Sequence, residues 1–132
     1  MVRPRHSNPT PAELEILQII WERGPSTVRE VMEVLNRHRP RAYTTVMSLM
    51  NVMEEKNLLT YKPQGRAFVY AAKTSRKKAQ KDLLGDLLNR AFDGSANELV
   101  TNLLDQAKPT QAELDQISDV IAQYKQSGRD AS

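Results

Sequence analysis

Three small hydroxyl residues, Thr44, Thr45 and Ser48, stand near the start of a segment with helical spacing. Apolar residues that would anchor such a helix recur at intervals of three and four: Val46, Leu49, Met50 and Met53. Hydroxyl groups can exchange hydrogen bonds with base edges, and threonine methyl groups can pack on thymine methyl groups. A helix over 42–56 would present a short, polar and uncharged face, which suits the major groove of a duplex. The residues predicted on that face are Tyr43, Thr44, Thr45, Met47, Ser48 and Asn51.

Two readings of these side chains remain open in the sequence. Thr44 and Thr45 could simply form the N-cap region of the helix, although a recognition helix also reads DNA with its first turn. Asn51 could pair bidentately with adenine, or it could be an ordinary solvated residue of the helix.

A basic hairpin is predicted directly after this helix. Two β-rich runs, 58–61 and 66–70, are joined by Lys-Pro-Gln-Gly, and Arg66 stands at the tip beside Gly65. Glycine lets the turn approach a nucleic-acid backbone closely while Arg66, supported by Lys62, reaches outward. We therefore expect the tip to lie on phosphate or in the minor groove.

A basic stretch, 37–41, leads into the helix and ends at Arg41. Such a run is often a solvated loop, but arginine forks bind phosphate oxygens without reading sequence. Phosphate contact is therefore the use that we predict for Arg41.

Helix boundaries in the rest of the chain are marked by capping boxes. Thr10 with Glu13, Thr27 with Glu30, and Thr110 with Glu113 have the spacing in which side chain and backbone cap each other. The first helix should end at Gly24, and the second near 37–40. The order is therefore three helices and a hairpin, sharing one core. The side chains predicted to face inward from the first two helices are Leu14, Leu17, Ile20, Trp21, Val28, Val31, Met32 and Leu35.

Composition changes after Lys73. Residues 1–81 carry 15 Lys and Arg against 7 Asp and Glu, whereas residues 82–132 carry 4 against 9. A basic first part indicates a polyanionic partner, and nucleic acid is favoured over a membrane surface. We predict two domains: a winged-helix DNA-binding domain over 1–73, and a helical dimerisation domain over 74–132. The fold class is mainly α with a small β-hairpin wing.

Three helices are predicted after Lys73, with leucine-rich faces and little aromatic bulk. Alone they are too short for a comfortably stable core, so we expect two chains to combine them in a twofold dimer. The alternative is that they fold back on their own winged helix. The residues predicted at the dimer interface are Leu84, Leu87, Leu88, Leu99, Leu103, Leu104, Leu114, Ile117, Ile121 and Tyr124.

Several classes of function find no support in the residues. The chain has no cysteine, which argues against disulfides and thiolate metal sites and fits a reducing cytosol. His6 and His38 lack companion ligands, so we expect no metal site. No nucleophile–base pair, phosphate loop, membrane span or signal peptide is recognisable. We expect a cytoplasmic protein that is not an enzyme and needs no cofactor.

The chain resembles the penicillinase-repressor family, the BlaI/MecI-type regulators of bacterial β-lactam resistance. The resemblance is carried by TPAELEILQIIWERGPSTVREV, YTTVMSLMNVMEEKNLL and GRAFVYAA, and it extends into the acidic helical tail. It implies a homodimeric winged-helix repressor that binds pseudo-palindromic operators with TACA/TGTA half-sites, upstream of β-lactamase or related genes. Two positions depart from the pattern: Val52 stands where relatives often have Arg, and Asn57 where they often have Gly.

The resemblance also implies how repression ends. In the staphylococcal members a β-lactam-responsive sensor leads to proteolysis at an Asn-Phe bond, and the corresponding pair here is Asn102-Leu103. Two rival functions remain: a repressor released by a small ligand held between winged helix and dimer core, and a winged-helix module that binds protein. The polar helix face argues against the second rival, because protein interfaces favour aromatic anchors.

Overall fold

The computed structural model describes residues 8–128 and contains six helices and one β-hairpin in that range. In chain order they are α1 (Pro11–Arg23), α2 (Val28–Leu35), α3 (Tyr43–Glu55), β1 (Leu59–Gln64), β2 (Ala67–Ala72), α4 (Arg76–Arg90), α5 (Ala96–Ala107) and α6 (Gln111–Ser127). The predicted order of three helices, hairpin and three helices is confirmed. The chain divides into two compact units after Asp86, within α4. The boundary predicted at Lys73 lies earlier in the chain, between β2 and α4.

The three capping boxes are confirmed, and they explain where the helices begin. At α1 the Glu13 amide donates to Thr10 Oγ1 over 3.2 Å, and the Thr10 amide donates to Glu13 Oε1 over 3.0 Å. The same reciprocal pair opens α2 and α6. Helix α1 ends at Gly24, whose φ of +92° disfavours other residues. Helix α2 ends at Leu35, before the predicted 37–40.

The core of the N-terminal unit gathers one face of each of α1, α2 and α3 and the base of the hairpin. Its buried members are Ile16, Leu17, Ile20, Val28, Val31, Leu35, Val46, Met50, Met53, Leu58, Leu59 and Tyr70. The predicted α1 stripe needs correction: Ile16 lies in the centre, whereas Leu14 and Trp21 are only half-buried, as is Met32 of α2. Trp21 sits at the rim because its indole Nε1 donates to the Thr74 carbonyl oxygen over 3.0 Å.

The hairpin strands are longer than the sequence indicated. Leu59 pairs with Ala72 and Gln64 pairs with Ala67, so the Lys-Pro-Gln segment belongs to β1 instead of the turn. Proline is tolerated there because β1 is an edge strand in a two-stranded sheet. The turn shrinks to Gly65 and Arg66, with Gly65 at a φ of +64°.

A short backbone bridge attaches the hairpin to the loop between α1 and α2. The Ser26 amide donates to the Tyr70 carbonyl oxygen over 2.9 Å, and the Tyr70 amide donates to the Ser26 carbonyl oxygen over 2.8 Å. Ser26 is fully buried, and its hydroxyl donates to the Gly24 carbonyl oxygen over 2.8 Å. This pairing fixes the base of the wing beside the helices.

A nearly buried ion pair joins the start of α1 to the end of α3. The Lys56 ammonium lies 2.7 Å from Glu13 Oε1, and the two side chains are only 18% and 4% exposed. Lys56 also donates to the Asn8 carbonyl oxygen over 3.3 Å. Just after α3, Asn57 adopts a left-handed conformation, with a φ of +67°.

The C-terminal helices show a different pattern of burial. No residue of α5 or α6 is buried, although the structure describes both helices completely. In α4, Ala79 is buried, and Ser75 Oγ accepts from the Lys78 amide.

None of the helices in residues 8–128 is long and apolar enough to cross a membrane.

The Glu13–Lys56 pair yields a stability prediction. Lys56→Met keeps the length of the side chain but leaves the Glu13 carboxylate buried without its cation, which should cost about 3 kcal/mol. Lys78→Met removes the exposed pair with Asp82 on α4 and should cost less than about 0.5 kcal/mol. Urea unfolding of both variants measures the two losses. Equal losses would contradict a structural role for the buried pair.

Candidate nucleic-acid interface

The outer face of α3 is short, polar and open to solvent. Thr44, Thr45 and Ser48 are exposed, as predicted, and Met47 is 37% exposed. The opposite face holds the helix in place, because Val46, Met50 and Met53 are fully buried there. The core therefore fixes the rotation of α3 and sets which side chains could reach a ligand. It does not by itself select a ligand.

The first turn of α3 is not capped by a side chain. Ala42 occupies the N-cap position, and the structure shows no side-chain hydrogen bond to the first amides of α3. By contrast, capping boxes satisfy first-turn amides at the N-termini of α1, α2 and α6. Thr44 and Thr45 therefore do not act as N-caps, because they lie within the helix. An uncapped helix start presents backbone donors and the positive end of the helix dipole to solvent. Such an end is suited to a phosphate group.

Asn51 is held by the wing. The Tyr70 hydroxyl donates to Asn51 Oδ1 over 3.0 Å. A bidentate pair with adenine would require that hydrogen bond to be shared or broken, so Asn51 is better placed to donate through Nδ2. Burial raises the pKa of the Tyr70 hydroxyl above 10.0, with smaller contributions from Tyr61, Glu54 and Tyr43, so Tyr70 stays a neutral donor at neutral pH.

The predicted phosphate contact Arg41 is engaged within the protein. Its Nη2 lies 2.9 Å from Glu15 Oε1, and the side chain is only 14% exposed. The Arg41 amide also donates to Asn36 Oδ1 over 2.8 Å. Arg41 therefore ties the start of α3 to α1 and α2, and contact with a phosphate would require its ion pair with Glu15 to yield or be shared.

The wing tip carries the charge that the sequence predicted. Lys62 and Arg66 are both exposed, and Arg66 follows Gly65 in the two-residue turn. The hairpin also exposes two aromatic rings that sequence reasoning passed over, Tyr61 at 44% and Phe68 at 50%. Their centroids are 5.0 Å apart in an edge-to-face arrangement. Alternation along the strands could have indicated that both rings share one face of the hairpin.

Arg29 is another cation beside α3 that the sequence did not single out. Its guanidinium carbon lies 5.4 Å from the centre of the Tyr43 ring, within the range of a cation–π interaction. Arg29 belongs to α2, so only the packing of α2 against α3 brings it to this face.

The residues predicted at a dimer interface retain much exposed apolar surface. Leu84, Leu87, Leu103, Leu114, Ile121 and Tyr124 are between 37% and 55% exposed. The remaining four are half-buried: Leu88, Leu99, Leu104 and Ile117. The predicted cleavage pair, Asn102 and Leu103, lies inside α5, where the side-chain Nδ2 of Asn102 donates to the Glu98 carbonyl oxygen over 2.8 Å. His6 lies outside the described residues, and within them no group of three or more potential ligands could hold a metal ion.

Comparison with known proteins identifies the family of this chain. The family model described as penicillinase repressor matches residues 9–123. The chain belongs to the penicillinase repressor family. It is 24% identical to the penicillinase repressor of Bacillus licheniformis over 114 residues, which cover 86% of this chain and 89% of the relative.

Two further relatives have names of the same kind. The transcriptional regulator BlaI of Mycobacterium tuberculosis is 34% identical over 87 residues, covering 65% of this chain and 63% of the relative. The methicillin resistance regulatory protein MecI of Staphylococcus aureus is 19% identical over 110 residues, covering 83% of this chain and 89% of the relative. Membership makes this protein a transcriptional repressor of the family, with a winged helix and a helical C-terminal region.

Proposed function

We propose that this protein is a homodimeric repressor that binds pseudo-palindromic operator DNA, with α3 in the major groove and the wing on the adjacent backbone or minor groove. The observation that carries this proposal is the exposed polar face of α3, whose uncapped start lies in the same compact unit as a basic wing. Short hydroxyl side chains allow a close approach to base edges, and exposed backbone amides supply donors for phosphate. Thr45 and Ser48 would read bases, while Arg66 and Lys62 would bind phosphate.

Dimerisation through the C-terminal helices is supported by their unsatisfied apolar faces. Helices α5 and α6 carry leucine, isoleucine and tyrosine on recurrent positions, yet neither helix buries a residue within one chain. A second copy would remove these side chains from water, with a gain of roughly 25 cal/mol per Å² of apolar area. A twofold dimer would also present two α3 helices to two half-sites, which matches a pseudo-palindrome.

The relatives' names suggest β-lactam resistance genes as targets. We propose that the operator contains TACA/TGTA half-sites upstream of a β-lactamase gene or a related gene, as the family resemblance implies. The DNA upstream of the protein's own gene is the first duplex to test.

Binding to that duplex should depend steeply on salt. If about six to ten phosphates are neutralised per dimer, log K should fall with log salt by near 0.9 per phosphate. Arg66→Ala should weaken binding to all sequences similarly and flatten the slope by about one unit per arm. Fluorescence anisotropy across a salt series measures both effects.

Ser48→Ala provides the matched comparison, because it removes a hydroxyl group and no charge. It should keep the wild-type salt slope and change which half-site sequence is preferred. A flat salt response of the wild-type protein would overturn the proposed DNA binding.

The dimer is tested by charge placed on the apolar face of α6. Ile121→Glu should shift the full-length protein toward monomer, because it would bury an unpaired carboxylate at the interface. Gln123→Glu adds the same charge to the opposite face of α6 and should leave the dimer intact. Sedimentation equilibrium distinguishes the two variants. Equal dissociation constants would mean that this face of α6 is not the interface.

We also propose that repression ends when a β-lactam-responsive sensor protease causes cleavage of the Asn102–Leu103 bond. Leu103 is 50% exposed, but the bond lies in the middle of α5, so the helix must open locally before a protease can bind it. Cleavage would separate α6 from α4 and remove apolar surface that holds the dimer together. A monomer would then lose the gain from linking two half-site readers.

Immunoblots before and after β-lactam exposure test this route. The wild-type repressor should give a fragment that ends near Asn102, whereas Asn102→Ala should remain full length and keep the target genes silent. Asn97→Ala, on the same helix, should be cleaved normally. Induction of the target genes with an uncut wild-type repressor would exclude proteolysis and favour release by a ligand.

A further inference from the structure

An open groove of about 430 Å³ lies between α3 and the wing. Among the residues that line it are Arg29, Tyr43, Met47, Tyr61, Arg66 and Phe68. All of them belong to the N-terminal unit. Of all the lining residues, four were predicted from the sequence to contact DNA: Tyr43, Met47, Asn51 and Arg66. The groove therefore adds Arg29, Tyr61 and Phe68 to the residues whose role needs an explanation.

The lining is suited to an anion with an apolar body. Two arginines line the groove and no carboxylate does. Arg29 is positioned over the ring of Tyr43, and this contact keeps its charge beside α3. Tyr61 and Phe68 form an aromatic wall, and Tyr61 packs against the buried Tyr70 with ring centroids 5.5 Å apart. Contact with Tyr70 thus anchors this wall in the core, while the rings of Tyr61 and Phe68 remain about half exposed to solvent.

The geometry of a duplex indicates what crosses this groove. The major and minor grooves of DNA are separated by a sugar–phosphate strand, so a protein with α3 in one and a wing tip in the other must straddle that strand. We infer that the groove holds the sugar–phosphate strand between the two grooves of the operator. Arg29 binds a phosphate there, and Tyr61 and Phe68 pack against deoxyribose. This inference rests on the proposed DNA binding and adds three contacts to it.

The contacts assigned here would position the protein without reading sequence. Phosphate and sugar are the same at every base pair, so they fix the register of α3 on the duplex and carry no base information. Arginine suits this role because its planar fork binds phosphate oxygens in pairs. The groove would therefore contribute equally to operator and unrelated DNA.

The test uses the full-length protein and operator duplexes in which one phosphate at a time is replaced by an uncharged methylphosphonate. For the wild-type protein, substitutions in the strand between the two grooves should weaken binding about tenfold, as expected for loss of a charge-assisted contact. Arg29→Ala should weaken binding to the normal duplex by a similar factor. It should also make binding indifferent to the same methylphosphonate, because the two changes remove one interaction.

Two further comparisons complete the experiment: a variant that removes a positive charge elsewhere, and a pair of variants at Phe68. Lys125→Ala makes the same change in net charge on α6 and should leave the methylphosphonate profile unaltered. Phe68→Ser should weaken binding to operator and unrelated duplexes by the same factor of about three, because it removes apolar contact area. Phe68→Leu, which keeps an apolar side chain, should stay near the wild-type affinity.

The outcomes separate this inference from the function on which it rests. If the wild-type protein binds operator with a steep salt response but the Arg29→Ala and methylphosphonate losses add independently, the groove does not hold the strand. If Arg29→Ala bound the normal duplex as tightly as the wild-type protein does, the inference would also be overturned, and the groove would serve another ligand. If the wild-type protein shows no salt-dependent binding, the proposed DNA binding itself fails.

Discussion

Tyr70 joins the wing to the helices through its backbone, its ring and its hydroxyl group. The backbone exchanges two hydrogen bonds with Ser26, and the ring is buried in the core. The hydroxyl donates to Asn51 on α3. A two-stranded hairpin is only marginally stable by itself, so these attachments are what give the wing a fixed position beside α3. The groove between them, and every contact proposed across it, depends on that position.

The start of α3 shows how local stability is given up where a ligand would bind. Helices α1 and α2 begin with capping boxes, each of which contributes roughly 1 kcal/mol. Helix α3 has Ala42 at its N-cap position and no such cap. It is held instead by the ion pair of Arg41 with Glu15 of α1, and at its far end by the ion pair of Lys56 with Glu13. Phosphate could supply the missing hydrogen bonds. A local rule broken at one helix start and compensated nearby is typical of a functional position.

The two compact units differ in where their apolar side chains lie. The N-terminal unit encloses a core to which α1, α2, α3 and the hairpin all contribute. Helices α5 and α6 leave large apolar residues such as Leu103 and Ile121 half exposed. Since removal of such surface from water is the main favourable contribution to association, the second unit has the composition of one half of an interface.

The sequence alone determined the elements, because the signals for them are local. Capping boxes act over three residues, and helical periodicity over seven, so the helices and the exposed face of α3 could be predicted from neighbouring positions. The basic tip at Arg66 was recognisable in the same way. The family resemblance rested on such local stretches as well.

Tertiary structure decided everything that joins residues far apart in the chain. The Ser26–Tyr70 bridge, the Glu13–Lys56 pair and the position of Arg29 over Tyr43 link separate elements, and no periodic pattern encodes them. Arg41 illustrates the consequence: its charge suggested phosphate contact, but packing placed Glu15 within 2.9 Å of it. A side chain's chemistry can be read from its type. Its partner is chosen by which surfaces the hydrophobic core brings together.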